Sequence, residues 1–236
     1  MMPYYMYGLN FSYMIYLLPG LILGLIAQAK ISSAYRNYME IRSKSGMSGL
    51  ETARKILDKN GLYDVKIEKV AGQLTDHYDP RDKTVRLSSQ VFQSESLAAV
   101  SIAAHEVGHA IQDAQDYNFL RFRNSILPLA NFGSRFSFIL IFIGYVLSLG
   151  DGLVKIGIAL FAVTVLFQFL TLPVEINASK RALVQLEDVG ILDDEEIDAS
   201  KQVLSAAALT YIASTITAIG SLLRLLAIFG GRDNRR

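Results

Sequence analysis

The chain has 236 residues, 51% of them hydrophobic and 19% charged, with no Cys and no Trp, and its 23 basic and 22 acidic side chains leave a formal charge of +1. That composition excludes a disulfide scaffold and a charge-rich disordered chain, and it offers no basic excess to displace counterions from phosphates, so no nucleic-acid partner is expected. A mean hydropathy of +0.30, with charges absent from several long stretches, points to an integral membrane protein whose partner is the lipid bilayer.

A crossing helix needs about 20 apolar residues to span roughly 30 Å of hydrocarbon. Tyr4 to Ala29 is uncharged, with Tyr4, Tyr5 and Tyr7 placed for an interfacial aromatic belt and Lys30 at the exit. It is too long, and too poor in N-terminal positive charge, for a cleavable signal peptide. Residues 30–126 are polar-rich and large enough for a small domain that leans on the membrane. Within them, Ser48 to Leu62 places Leu50, Ala53, Ile56 and Leu57 on one face and ends at Asn60-Gly61, which predicts a capped amphipathic helix. Val65 to Val70 alternates as a strand does. Thr75 to Leu87 reads as two short extended pieces around Pro80-Arg81-Asp82-Lys83, a hairpin. A helix is expected from about Ser94 through Ala114.

A second span runs from Phe136 to Leu149 and is short unless it begins near Leu127 and lets Arg135 snorkel. The turn Gly150-Asp151-Gly152 leads into a third span, Leu153 to Leu172, after which Pro173 is expected to start a fresh helix. A fourth runs from Val203 to Phe229 and carries a stripe of Ala206, Ser214, Thr217, Gly220 and Ser221 suited to close helix packing in lipid. The expected organisation is therefore a span over 4–29, a membrane-associated domain over 30–126, two spans over 127–172, a helix with an acidic linker over 173–202 and a last span over 203–229.

The helix ending at Ala114 contains His105-Glu106-Val107-Gly108-His109, the H-E-x-x-H pattern. Imidazoles at i and i+4 lie on one helix face about a turn apart, as two ligands of a tetrahedral zinc ion require. Glu106 is then beside the metal, placed as a general base that takes a proton from an activated water and returns it to a leaving amine. Only three histidines occur in the chain, and two are in this motif.

A catalytic zinc commonly has three protein ligands and an open position. The extended pattern with a glycine and a third histidine is excluded, because Gln112 and Gln115 stand at those places. His77 is one candidate third ligand, and the carboxylates Glu175, Glu187, Glu195 and Glu196 are others. Glu175 stands out because it follows Pro173 at the end of a span and has Ser179 at i+4, where a hydroxyl can orient a ligand. Two crossings between the H-E-x-x-H helix and Glu175 also return the chain to the same side of the membrane. His77 and Tyr78, on the expected hairpin, are candidate oxyanion donors, and the hairpin is a candidate edge strand for an extended peptide.

The blocks SGLETARKILDKNGL, LTDHYDPRDKTVRLS, AAHEVGHAIQDA, LPVEINASKRAL and AAALTYIASTITAIGSLLRLL, spread over most of the chain, resemble the YugP-type neutral zinc metallopeptidases of bacteria. That family is similar to the membrane gluzincins typified by HtpX and the CAAX prenyl endoprotease, which pair H-E-x-x-H with a downstream E-x-x-A-D. The resemblance implies Zn²⁺ as cofactor, His105, His109 and Glu175 as ligands, Glu106 as base and a polypeptide substrate, with Ser179 here where the wider pattern has Asp. The fold expected is mainly α: an integral membrane helical protein with a small α+β zincin-like metallopeptidase domain packed against about four transmembrane helices.

Two other functions fit the same residues, a zinc-binding membrane adaptor with Glu106 idle, and a zinc hydrolase of a non-peptide amide. Lys30, Arg36, Arg42, Lys44, Arg121, Arg123, Arg135, Lys180 and Arg181 flank the expected catalytic side, against Lys155 and the tail residues Arg232, Arg235 and Arg236 opposite. That balance predicts a multi-pass protein of the cell membrane with its catalytic side in the cytoplasm.

Overall fold

The computed structural model describes residues 11–147 and 151–230. The chain divides into two compact units, one made of Ala27–Arg121 and Leu172–Thr210, the other of Met1–Ile26, Phe122–Thr171 and Tyr211–Arg236. The helices α1 (Leu18–Met39), α6 (Asp151–Asp188) and α7 (Asp194–Phe229) each contribute to both, as does α5 (Asn118–Val146).

In the first unit, α2 (Gly49–Lys59) begins at Ser48, whose hydroxyl accepts from the Glu51 N–H while the Glu51 carboxylate accepts from the Ser48 N–H. This reciprocal cap fixes a helix whose Ala53, Ile56 and Leu57 are fully buried. Each buried Ile or Leu contributes about 1.5–3 kcal/mol of hydrophobic stabilisation. Three strands follow, β1 (Lys66–Val70), β2 (His77–Asp79) and β3 (Thr84–Ser88), in the order β1-β3-β2. β2 and β3 form the expected hairpin, with His77 opposite Arg86 and Asp79 opposite Thr84. β1 pairs with β3 in parallel, from Lys66 opposite Thr84 to Val70 opposite Ser88, so β3 is central and its Val85 and Leu87 are fully buried.

A short helix α3 (Ser89–Gln93) then leads into α4 (Leu97–Ala114), whose cap Ser96 accepts from the Ala99 N–H. Ala98, Ala99, Ala103, Ala104, Gly108 and Ala110 are small, and α4 is buried on most of its surface. Ala182 and Leu186 of α6, Ile191 and Leu192 of the following turn, and Leu204 of α7 complete the core around α2, β3 and α4. The acid-rich stretch begins α7 and is clamped at its start by Lys44, whose Nζ lies 2.6 Å from Asp193 and 3.1 Å from Glu195.

In the second unit a 3-10 helix, Phe11–Tyr16, precedes α1. Close backbone approach explains two glycines, since a Cβ on Gly220 of the C-terminal stripe would meet the Tyr16 carbonyl oxygen and one on Gly20 of α1 would meet Thr217 of the stripe. Ser214 of the same stripe is exposed.

Among the described residues, three helices are long and apolar enough to cross a membrane: Asn118–Val146, Gly152–Asp188 and Asp194–Phe229. Apolar side chains such as Phe142, Phe169 and Leu226 stand exposed along them, the pattern of a surface solvated by lipid. The fourth expected span, over 4–29, is not confirmed among them: part of that segment lies outside the described residues, and its remainder is the 3-10 helix and the first part of α1. The second span is longer than expected because α5 begins at Asn118 and carries Pro128 and Arg135 within it. Pro173 does not start a new helix either. It sits inside α6, which runs unbroken to Asp188. In an apolar surrounding an interrupted helix leaves several backbone groups unbonded, whereas a proline within a continuous helix forfeits one N–H bond.

Candidate active site

His105 and His109 sit one turn apart on α4, their rings 4.8 Å apart and nearly perpendicular. Glu175 comes to them from α6, with its Oε2 3.2 Å from His105 Nε2 and 3.5 Å from His109 Nε2. The ligand atoms of these three residues all lie within 4.8 Å of one another. A tetrahedral zinc with bonds of roughly 2.0–2.2 Å separates its ligand atoms by about 3.3–3.6 Å, so the two Nε2–Oε2 separations are close to what the ion needs. The donor set, two imidazoles and a carboxylate, is also the one a catalytic zinc site uses. His109 and Glu175 are buried and His105 is half-buried.

What brings α4 and α6 this close is Gly108. A Cβ at that position would stand 2.6 Å from the Ala178 carbonyl oxygen, so only glycine allows the histidine helix to lie directly on the backbone of the Glu175 helix.

Glu106 is buried beside this cluster. Burial pushes its carboxyl up to about 7, opposed by the nearby His105 and by the backbone N–H of Tyr78, while Glu175 and Asp76 reinforce the rise. The Tyr78 amide of edge strand β2 thus faces the carboxylate of α4. A carboxyl near neutrality takes and gives up a proton with little driving force in either direction, as a general acid–base group requires.

The remaining sequence candidates are distributed as follows. Ser179 places its hydroxyl 3.2 Å from His105 Nδ1. Tyr78 lies next to the site by its backbone, but its hydroxyl donates to Asp113 at 2.9 Å. Burial and that carboxylate raise the Tyr78 hydroxyl well above its ordinary range. His77 is exposed, with Nδ1 2.8 Å from the Thr75 carbonyl oxygen, and does not join the three-residue cluster. Glu187, Glu195 and Glu196 are likewise outside that cluster; Glu195 pairs with Lys44 and Glu196 accepts from the Lys44 backbone N–H.

Sequence reasoning missed a polar chain behind His109. Gln112 Oε1 lies 3.0 Å from His109 Nδ1, and Gln112 Nε2 donates to the Val174 carbonyl oxygen at 2.8 Å and to Asn177 Oδ1 at 2.9 Å. Arg181 donates from Nε to the same Asn177 Oδ1 at 2.7 Å and from a terminal nitrogen to Gln115 at 2.6 Å. The available signal was spacing: Gln112 is i+3 from His109, and Asn177 is i+2 from Glu175.

Comparison with known proteins places this geometry in context. Residues 13–230 match the family described as "Putative neutral zinc metallopeptidase". The chain is 47% identical over 208 residues, 88% of its own length and 92% of the relative's, to the "Putative membrane protease YugP" of Bacillus subtilis (strain 168). No solved structure matches the chain.

Proposed function

The chain belongs to the neutral zinc metallopeptidase family, and from that membership and the geometry of its site we propose that it is an integral-membrane endopeptidase of the gluzincin type. His105, His109 and Glu175 would hold the zinc, and Glu106 would act as general base and then general acid. The observation that carries this reading is the convergence of His105 Nε2, His109 Nε2 and Glu175 Oε2 beside a buried carboxylate that is itself no member of the donor set. A purely structural zinc usually recruits four protein ligands and has no use for that carboxylate.

When bound, the zinc supplies Lewis acidity that polarises a scissile carbonyl and lowers the pKa of water. The chain's own residues do the rest. Glu106 takes the proton of the attacking water on a carboxylate oxygen and later delivers it to the departing amine nitrogen. The Tyr78 N–H faces that carboxylate from β2 and favours its charged form. β2 is an edge strand, so an extended peptide can add to it within reach of Glu106. His105 is steadied at Nδ1 by Ser179, a neutral partner in place of the wider pattern's Asp.

The test is Glu106→Gln in the detergent-purified full chain. Cleavage of an unstructured protein such as casein should fall about 10²–10⁴-fold while zinc per chain is unchanged. Undiminished cleavage by this variant refutes the mechanism, and no cleavage by the wild-type chain loaded with zinc points to an adaptor or to a non-peptide amide as substrate.

We place the catalytic side in the cytoplasm of the cell membrane, from the basic residues flanking it. The chain has no cysteine, so single cysteines at Lys59 and Lys155 labelled by an impermeant maleimide in intact cells decide it. Labelling at position 155 alone is expected, and labelling at position 59 alone reverses the orientation.

A further inference from the structure

We propose that Gln112 is a positioning residue that fixes His109 as the Nδ1–H tautomer and so aims its Nε2 lone pair at the metal position, with Asn177 and Arg181 holding Gln112 in that orientation. The inference rests on the zinc-site reading above and goes beyond it.

A backbone carbonyl only accepts, so the Gln112 atom 2.8 Å from the Val174 oxygen is its NH₂ group. A guanidinium only donates, so the Asn177 atom 2.7 Å from Arg181 Nε is its carbonyl oxygen. That oxygen accepts from the Gln112 NH₂ as well. The orientation of the Gln112 amide is thus determined from two independent ends, and its carbonyl oxygen faces His109 Nδ1 at 3.0 Å. An oxygen facing a ring nitrogen at that distance forms a hydrogen bond only if the nitrogen carries the proton. His109 carries a proton at Nδ1, so in the neutral ring it is Nε2 that presents the lone pair.

That lone pair points at Glu175 Oε2, 3.5 Å away. In the neutral ring two acceptors then face each other in a buried site and repel unless a proton or a metal ion lies between them, so the position between Nε2 and Oε2 favours a cation. Gln112 is fully buried, and it spans α4 and α6, the two helices that carry the ligands. His105 differs. Its Nδ1 partner is the Ser179 hydroxyl, which can donate or accept and leaves that ring free to choose. Of the two imidazoles, His109 is the one whose metal-facing nitrogen the protein determines in advance.

The experiment uses the full chain in detergent, loaded with zinc and labelled with ¹⁵N at its three histidines. Wild type is expected to show His109 bound to zinc through Nε2, with a slowly exchanging proton at Nδ1. In Gln112→Met that proton should exchange rapidly, and zinc affinity measured against a chelator should fall about 10–100-fold. Gln112→Glu gives up the two bonds that the NH₂ group donates to Val174 and Asn177 but keeps an oxygen toward Nδ1–H, so it should retain the slow proton, with zinc held more tightly than in Gln112→Met. Coordination of wild-type zinc through His109 Nδ1 overturns the inference without any variant. Equal loss of zinc in the Met and Glu variants, or wild-type affinity in both, overturns it while leaving the site intact. Absence of zinc from wild-type His105, His109 and Glu175 overturns the active-site reading itself.

Discussion

Replacing Gly108 by alanine tests how the site is assembled. The added Cβ would lie 2.6 Å from the Ala178 carbonyl oxygen, 3.2 Å from its carbonyl carbon and 3.3 Å from its Cα. All three are backbone atoms of the helix that carries Glu175, so no change of rotamer relieves the contact. Reaching an ordinary contact near 3.4 Å requires α4 and α6 to part by about 0.8 Å. Overpacking of this kind costs about 1–3 kcal/mol, partly offset by about 1 kcal/mol from replacing glycine inside a helix. The loss of stability should therefore be modest. The loss at the site should not be, because the 3.2 Å and 3.5 Å separations between the imidazoles and Glu175 straddle the same interface, and a zinc site tolerates deviations of only roughly ±0.2 Å in its bonds. Zinc affinity should fall at least about tenfold, and turnover about 10²-fold. The assay is zinc retained per chain against a graded chelator, alongside thermal unfolding in detergent. Gly24→Ala serves as control, since a Cβ there meets nothing within 4 Å. Wild-type zinc affinity in Gly108→Ala would refute the argument that this contact sets the distance between the ligands.

Three further outcomes are expected. Glu175→Ala should lose zinc, whereas His77→Ala should keep about one ion per chain, measured by metal analysis of the purified protein; the reverse result reassigns the third ligand. Phenylalanine in place of Tyr78 removes the hydroxyl bonded to Asp113 but leaves the backbone N–H beside Glu106, so it should cost about 1 kcal/mol of stability with turnover within a few-fold of wild type; a loss beyond about 10²-fold would return the hydroxyl to the chemistry. Asp79 is held below the usual carboxylate range by hydrogen bonds from Arg81 and by the charges of Arg81 and Arg86. Its stabilising contribution is present above the unfolded-state value near 3.8 and is lost as pH falls through the lower folded-state value. Asp79→Asn should therefore unfold about 1 kcal/mol more easily at pH 7, and the two melting curves should converge as the pH drops below 4; a difference that is constant with pH refutes the charge argument.

Much of the fold was legible because local rules and tertiary context agree in this chain. Ser48 and Glu51 cap α2 by a bond pattern internal to four residues. The hairpin of β2 and β3 follows from alternation around Pro80-Arg81-Asp82-Lys83. Other features were not legible. β1 joins β3 in parallel, a pairing set by the core that both strands cover rather than by any turn between them. Pro173 reads as a helix start on local propensity, yet α6 continues through it, since the neighbouring turns keep their bonds. The start of α5 at Asn118 was hidden by Arg121, Arg123 and Arg135, whose long side chains let charged residues continue an apolar helix.

The site divides along the same line. Sequence by itself determined that His105 and His109 share a helix face with Glu106 beside them, because a period of 3.6 residues is a local property of the backbone. It also narrowed the third donor to a few candidates, of which Glu175 was favoured by its place after a span. Only the tertiary structure decided that Glu175 stands within 3.5 Å of both imidazoles, that the Tyr78 hydroxyl is committed to Asp113, and that Gln112, Asn177 and Arg181 form one hydrogen-bonded chain behind His109. The contacts of Glu175 with the imidazoles and of Gln112 with Asn177 join residues 65 to 70 positions apart in the chain, and they exist because Gly108 lets two helices touch backbone to backbone.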